Sequence, residues 1–216
     1  MIHRSSDPEQ HGGSRLRAAK RAAITAGALE VFARDGYARA SVDAIAVESG
    51  VSTRTIYKHF ADKAALFAAV IADSAASVAA EESALIAHHL DGVTRAEEIG
   101  PALVDFARTW LSDTTRSSAH QALIRQVHAE ATHLGHDIVA TWWRAGPGRV
   151  RAALAERLAR WADEGLLRVA DAEQAAVHFA QLVSAAPGPP TSDLTASERE
   201  AWIAAGVQVF VRGYGT

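Results

Sequence analysis

The sequence predicts an all-α protein, a small N-terminal helix-turn-helix domain of three helices joined to a larger helical domain. Three observations carry this. Apolar residues recur at helical spacing along almost the whole chain, strand-like alternation of β-branched residues is nearly absent, and alanine is abundant. At 216 residues, with 49% apolar and 22% charged residues, the chain is long enough for a sizeable core and has ordinary globular composition.

Residues 1–14 are polar, contain Gly12-Gly13, and are expected to form a disordered tail. A first helix is expected from about Arg15 to Asp35, with Ile24, Ala28, Val31 and Phe32 forming one apolar stripe and Gly36 at the C′ position. Ser41 caps a short second helix with Val42, Ile45 and Ala46 inward, and Ser52 caps a third after Ser49-Gly50-Val51. Asp62 caps a long fourth helix whose inner face holds Leu66, Phe67, Val70 and Ile71.

Five or six more helices follow. Thr94-x-x-Glu97 reads as a capping box ahead of Leu103, Phe106, Ala107, Trp110 and Leu111, with Pro101 set to shift or kink the start. Ser118-x-x-Gln121 opens a helix carrying Leu123, Ile124, Val127 and Ala131, and a short segment holds Ile138, Trp142 and Trp143. Pro147 of the "GPG" break suits position N1 of a helix with Val150, Leu154, Leu158 and Trp161, ending near Gly165. Asp171-x-x-Gln174 opens a helix with Ala175, Phe179, Leu182, Val183 and Ala186; "PGPP" at 187–190 breaks it, and Thr195-x-x-Glu198 opens the last. The domains expected are 15–61 and 62–216.

Several function classes are disfavoured. No cysteine is present, which removes disulfide scaffolds and thiolate metal sites and is compatible with a reducing cytoplasm. No apolar run is expected to approach the roughly 18 residues of a membrane span. The opening "MIHRSSDPEQHGGSRLR" lacks the apolar stretch of a secretory signal. No nucleophile elbow, zinc-protease, P-loop or dinucleotide motif occurs, so an enzyme is not expected, and no cofactor is implied. Among ten histidines, His88-His89 are adjacent and His128 and His133 are five apart, off the i,i+3 or i,i+4 spacing of a helical metal pair. His133 and His136 are three apart, with Gly135 expected to break the helix between them, so no metal site is expected. Residues 1–60 hold 9 Lys+Arg and 6 Asp+Glu, leaving 13 and 19 in the remainder, so a basic end sits on an acidic body. That asymmetry points to an anionic partner at the N-terminal end.

Two short helices joined by a glycine-containing turn fit a helix-turn-helix. In "GVSTRTIYKHFADK", Val51, Ile56 and Phe60 can pack backward. Thr53, Arg54 and Thr55 lie at the helix start, where base edges are met, and Tyr57, Lys58 and His59 suit phosphate oxygens. Lys63 opens the fourth helix, itself a phosphate-binding position. A solvated helix with two core anchors fits the same residues.

The stretch from Arg17 to Val70 resembles the N-terminal domain of the TetR family of bacterial transcriptional regulators. The resemblance is carried by Phe32, Gly36-Tyr37, Ser41-Val42, Ile45-Ala46, Gly50-Val51-Ser52, Ile56-Tyr57-x-His59-Phe60 and Lys63-x-x-Leu66, without a gap. It implies an all-helical homodimer. The first three helices would bind a palindromic double-stranded operator, and a C-terminal ligand-binding and dimerisation domain would release it on binding a small-molecule effector. Thr53, Arg54 and Thr55 then match base-contacting positions, and Tyr57, Lys58, His59 and Lys63 match backbone-contacting ones. Val42 and Asp43 are not carried over, since one cannot donate a hydrogen bond and the other would repel phosphate. Residues 118–186 resemble, more loosely, a C-terminal domain of some members.

Candidates for an effector cavity are Phe106, Trp110, Arg125, His128, Trp142, Trp143, His178 and Phe179, a mixture of aromatic walls and polar groups suited to a small apolar or aromatic molecule. Core packing of the aromatics would look the same in sequence. Trp202, Ile203, Val207, Val209, Phe210 and Val211 cannot all face one core, which suggests that the 171–186 and 195–213 helices form a two-fold four-helix bundle. The expectation is a ligand-responsive repressor; a DNA-binding dimer governed by a protein partner is the alternative.

Overall fold

A computed structural model describes residues 8–112, 118–129, 136–184 and 194–216, with side chains described for 14–112, 119–125, 137–184 and 194–216. These residues form helices joined by short turns, and their only strand-like pairing is an antiparallel bridge between Leu167 and Gly215. The helices are α1 (Pro8–Arg39), α2 (Val42–Glu48), α3 (Thr53–His59), α4 (Lys63–Leu90), α5 (Ala96–Trp110), α6 (Ser118–Ala129), α7 (His136–Ala145), α8 (Pro147–Asp163), α9 (Ala172–Ser184) and α10 (Ala196–Tyr214).

Most of these ends follow from local capping. Ser41 Oγ accepts from the Ala44 amide at 3.1 Å, Ser52 Oγ from Thr55 at 3.2 Å, and Asp62 Oδ1 from Ala65 at 2.7 Å. Asp171 Oδ1 accepts from Gln174 at 3.0 Å, and Thr195 with Glu198 completes both halves of a capping box. Three expectations are corrected. The α5 cap is one residue late: Glu98, not Glu97, accepts from the Thr94 and Arg95 amides, and Pro101 lies inside α5 without ending it. α1 starts at Pro8 rather than near Arg15, with proline at the position where its missing N–H costs nothing. At Gly36 the backbone turns to φ 76°, and a further helical turn follows to Arg39. The "PGPP" breaker and Ala131 fall outside the described residues.

The third correction concerns α4. It is apolar enough, by length and composition, to cross a membrane, with a mean hydropathy of 1.5 over an 18-residue window. Alanines raise that mean although Asp73, Glu81 and Glu82 interrupt the run. α4 instead serves two cores. Leu66, Phe67, Val70 and Ile71 are buried in one, and Ala79, Ile86 and Leu90 in the other.

Two compact units result. The first comprises residues 1–75 and 117–142, the second 76–116 and 143–216. In the first, the expected α1 stripe of Ile24, Ala28, Val31 and Phe32 is fully buried with Ile45, Ala46, Ile56 and Phe60. α6 joins this unit by packing along α1 and burying Leu123 in the same core. His120 on α6 is buried and its Nδ1 lies 2.8 Å from Ser74 Oγ. Leu123, Ile138 and Trp142, which lie beyond the boundary expected at 61/62, thus pack with the N-terminal helices. The second unit centres on Trp161, Phe106, Phe179 and Phe210, and includes the predicted α8 face of Val150, Leu154 and Leu158.

Candidate nucleic-acid interface

α3 is seven residues long and is oriented by what lies behind it. Ile56 is 1% and Phe60 5% exposed, both locked into the first core. Gly50 takes φ +63° in the turn between α2 and α3, a conformation that residues with a Cβ rarely adopt. The close approach of α1 to the end of α2 also excludes a side chain at Gly27, where a Cβ would lie 2.4 Å from Ser49 Oγ and 2.9 Å from Ser49 N.

With Ile56 and Phe60 inward, the remaining residues of α3 face out or lie at its margin. Arg54, Tyr57 and Lys58 are exposed, while Thr53, Thr55 and His59 are half-buried. Thr55 Oγ1 lies 2.9 Å from Ser52 Oγ, which fixes its side chain at the start of the helix. Arg54 and Lys58 have no ion-pair partner among the described residues. Val42 packs against the core rather than outward.

Lys63 is engaged within the protein. Its Nζ donates to the backbone carbonyls of Tyr37 at 2.9 Å, Ala38 at 3.4 Å and Ala40 at 3.1 Å. An ammonium has three donors, so all are engaged. The same charge sits 4.6 Å from the Tyr37 ring centroid. Lys63 thus ties the start of α4 to the end of α1.

The candidate effector residues do not converge as a set. Phe106, Trp110 and Phe179 meet in the second unit: Phe106 stacks on Trp110 at 5.6 Å and on Phe179 at 6.0 Å. Trp110 is half-buried, and its indole N–H is buried with no acceptor among the described residues. His178 is exposed, with Nδ1 2.6 Å from the Tyr214 hydroxyl. Trp143 is 42% exposed and lies under the Arg151 guanidinium, 5.3 Å from its ring centroid. Trp142 packs against the first core, where Arg125 is exposed on α6. His128 lies on α6, but its side chain is outside those described, as is His133. Two open clefts in the second unit, one bounded by α8 with Ser83 and Glu173, the other by Val104 and Val211, include none of these eight residues.

On α9 and α10 the helical phase separates neighbours that looked equivalent in sequence. Ile203, Gly206, Val207 and Phe210 are buried within the unit, while Val177 and Val209 are exposed at 36% and 57%.

Sequence reasoning missed a basic face on α1. Arg15, Arg17, Lys20 and Arg21 are all exposed, and no acidic residue occurs between Ser14 and Leu29. The lack of acids was visible in the sequence; that this face borders α3 was not.

Comparison with known proteins matches this geometry. Residues 24–70 match the family model of bacterial regulatory proteins of the tetR family, and residues 101–216 match that of the AefR-like transcriptional repressor C-terminal domain. No curated protein matches the chain. Among solved structures, a TetR-family transcriptional regulator from Mesorhizobium loti superposes with a TM-score of 0.81 at 24% identity, covering 93% of this chain and 98% of that one. The Flavonoid-responsive Regulator FrrA superposes with a TM-score of 0.70 at 28% identity, covering 92% and 98%. SmeT, the repressor of the Stenotrophomonas maltophilia multidrug efflux pump SmeDEF, gives 0.58 at 17% identity, covering 91% and 90%.

Proposed function

The chain belongs to the TetR family of transcriptional regulators, and on that premise we propose that it is a ligand-responsive repressor that binds a palindromic operator as a cytoplasmic homodimer. The observation that carries this is the construction of α3, pinned by Ile56 and Phe60 and presenting Arg54, Tyr57 and Lys58 to solvent without acidic partners among the described residues. Thr53, Arg54 and Thr55 meet base edges; Tyr57, Lys58 and His59 meet phosphates. Lys63 acts from behind, as a positioning residue that holds α1 against α4.

Repression is supported by the match of residues 101–216 to a repressor domain. Dimerisation through α9 and α10 is supported by the outward Val177 and Val209. A small apolar or aromatic effector is supported by the Phe106–Trp110 stack and by the free indole N–H of Trp110, to which an effector carbonyl or hydroxyl could be the acceptor. Likeness to FrrA, a flavonoid-responsive regulator by name, favours a planar aromatic molecule.

The test is selection of bound DNA from a random pool, followed by a screen of planar aromatic metabolites for release of the selected operator. Release by one such compound, weakened in Trp110→Ala while operator affinity is kept, is the expected result. Operator binding that no small molecule alters would refute the sensor, and failure to select any sequence would refute the repressor.

A further inference from the structure

We propose that the second unit takes a neutral planar aromatic molecule with hydrogen-bond acceptors on its edges, a quinone or an aromatic ketone, held by the indole N–H groups of Trp110 and Trp202. This rests on the effector site proposed above and names the chemistry that the site selects. α5 and α10 pack along one another. Gly100 and Val104 line a cleft with Val207 and Val211, whereas Arg108 pairs with Glu200. Later residues of α5 thus meet earlier residues of α10, so the two helices run in opposite directions. Trp110 at the end of α5 and Trp202 near the start of α10 therefore stand at the same end of the pair.

Both residues are half-buried, yet the Nε1 of each is buried and has no acceptor among the described residues. An indole nitrogen can only donate, and a donor buried without a partner is costly, so a bound acceptor recovers that loss. Acceptors of the protein at this end are already engaged. The Asp105 carbonyl accepts from the Thr109 hydroxyl at 3.0 Å, the Thr109 carbonyl from the Ser112 hydroxyl at 2.8 Å, and the Glu200 carboxylate from Arg108 at 2.9 Å. A carbonyl oxygen, which only accepts, therefore suits both indoles. A phenol or an amine would bury a donor of its own with little to receive it. Of the cations near the two tryptophans in sequence, Arg108 is paired with Glu200 and Asp105, and Arg199 is exposed. Neither gives an anion a buried counter-charge. The flat wall is Phe106, whose ring stacks on Trp110 with 9° between the planes. Trp161 has a third unpaired N–H, but its carbonyl accepts from Leu167, which bridges to Gly215 at the far end of α10.

The test is calorimetric titration of the full chain, free of DNA and without oxygen, with para-naphthoquinone, its reduced diol, naphthalene and naphthoate. The chain has no cysteine, so addition of the quinone to a thiol cannot imitate binding. The quinone should bind about tenfold or more tighter than the diol or naphthalene, and naphthoate should bind weakest. Trp110→Phe and Trp202→Phe each keep an aromatic ring and remove one N–H. Each should cut the preference for quinone over naphthalene by about threefold to tenfold, with the affinity for naphthalene itself unchanged, which a role in packing alone would not produce. The double variant should abolish the preference, and Trp161→Phe should keep it. Equal binding of quinone, diol and naphthalene, or a preference that survives in the double variant, would overturn the assignment. So would binding of none of the four; release of the operator by a compound of other chemistry would then leave the sensor itself standing. Operator binding that no small molecule alters, beside intact quinone selectivity, would overturn the sensor and keep the site.

Discussion

Replacing Lys63 with methionine separates two roles that its sequence position confounds. Methionine keeps the unbranched stem and a good helix propensity, so the change removes the ammonium alone. Three hydrogen bonds to the Tyr37, Ala38 and Ala40 carbonyls disappear, together with the contact over the Tyr37 ring. A hydrogen bond from a charged group contributes about 1.5–3 kcal/mol. Lys63 is half-buried and the Ala38 contact is long, so water can replace part of what is lost. A net loss of about 2–3 kcal/mol is expected, measured by urea unfolding of the DNA-free protein followed at the N-terminal unit. The slope of log affinity against log salt should hardly change if, as proposed, the charge is spent on these carbonyls and not on phosphate. If Lys63 instead held a phosphate, the dimer would lose a slope of roughly 2 and the free protein would keep its stability. That pair of results would refute the latch.

Gly27→Ala should weaken folding of the same unit by about 1–3 kcal/mol, since the new methyl would enter the space of Ser49; calorimetry without DNA reads it. Val209→Glu should give monomers of unaltered helicity by light scattering, whereas Phe210→Ala should cost about 3–5 kcal/mol of stability through its cavity, because only Val209 faces out. A Val209→Glu dimer of unchanged mass would exclude α10 from the interface. Backbone amide donation from Thr94, with the Arg95 guanidinium, holds the Glu98 carboxyl below its usual range, and the Thr195 hydroxyl and amide do the same for Glu198. Their folded values are depressed, so this stabilisation is complete above the ordinary carboxylate value of about 4.3 and is lost as pH falls through the lower folded values. Unfolding midpoints should drop across that acid range, and Glu198→Gln should flatten the drop.

What the sequence made legible was local. Ser41, Ser52, Asp62, Asp171 and Thr195 cap helices because a short polar side chain reaches an amide three residues on, a relation contained in four residues. The α1 stripe was legible for the same reason, since one face of a helix is fixed by spacing. Non-local partners were not legible. Lys63 meets carbonyls 23 to 26 residues away, and nothing in its neighbourhood reports them. α6 lies far along the chain from α1, yet Leu123 completes the N-terminal core. Val209 and Phe210 are adjacent apolar residues, and composition cannot say which turns inward. The effector candidates were chosen by residue type, which brings together Phe106, Trp110 and Phe179 but scatters His178, Trp142 and Trp143. The basic residues of α1 showed only as a small excess of charge, because their meaning depends on the position of α3.

The central claim is that α3 reads bases through Arg54. Its most direct test is the binding of Arg54→Ala to the selected operator and to versions substituted at one base pair at a time. A loss of about 1–3 kcal/mol per half-site is expected, with relaxed preference at a single base pair in each and preference elsewhere and the fold unchanged. Unaltered affinity and unaltered preference at every base pair would contradict it.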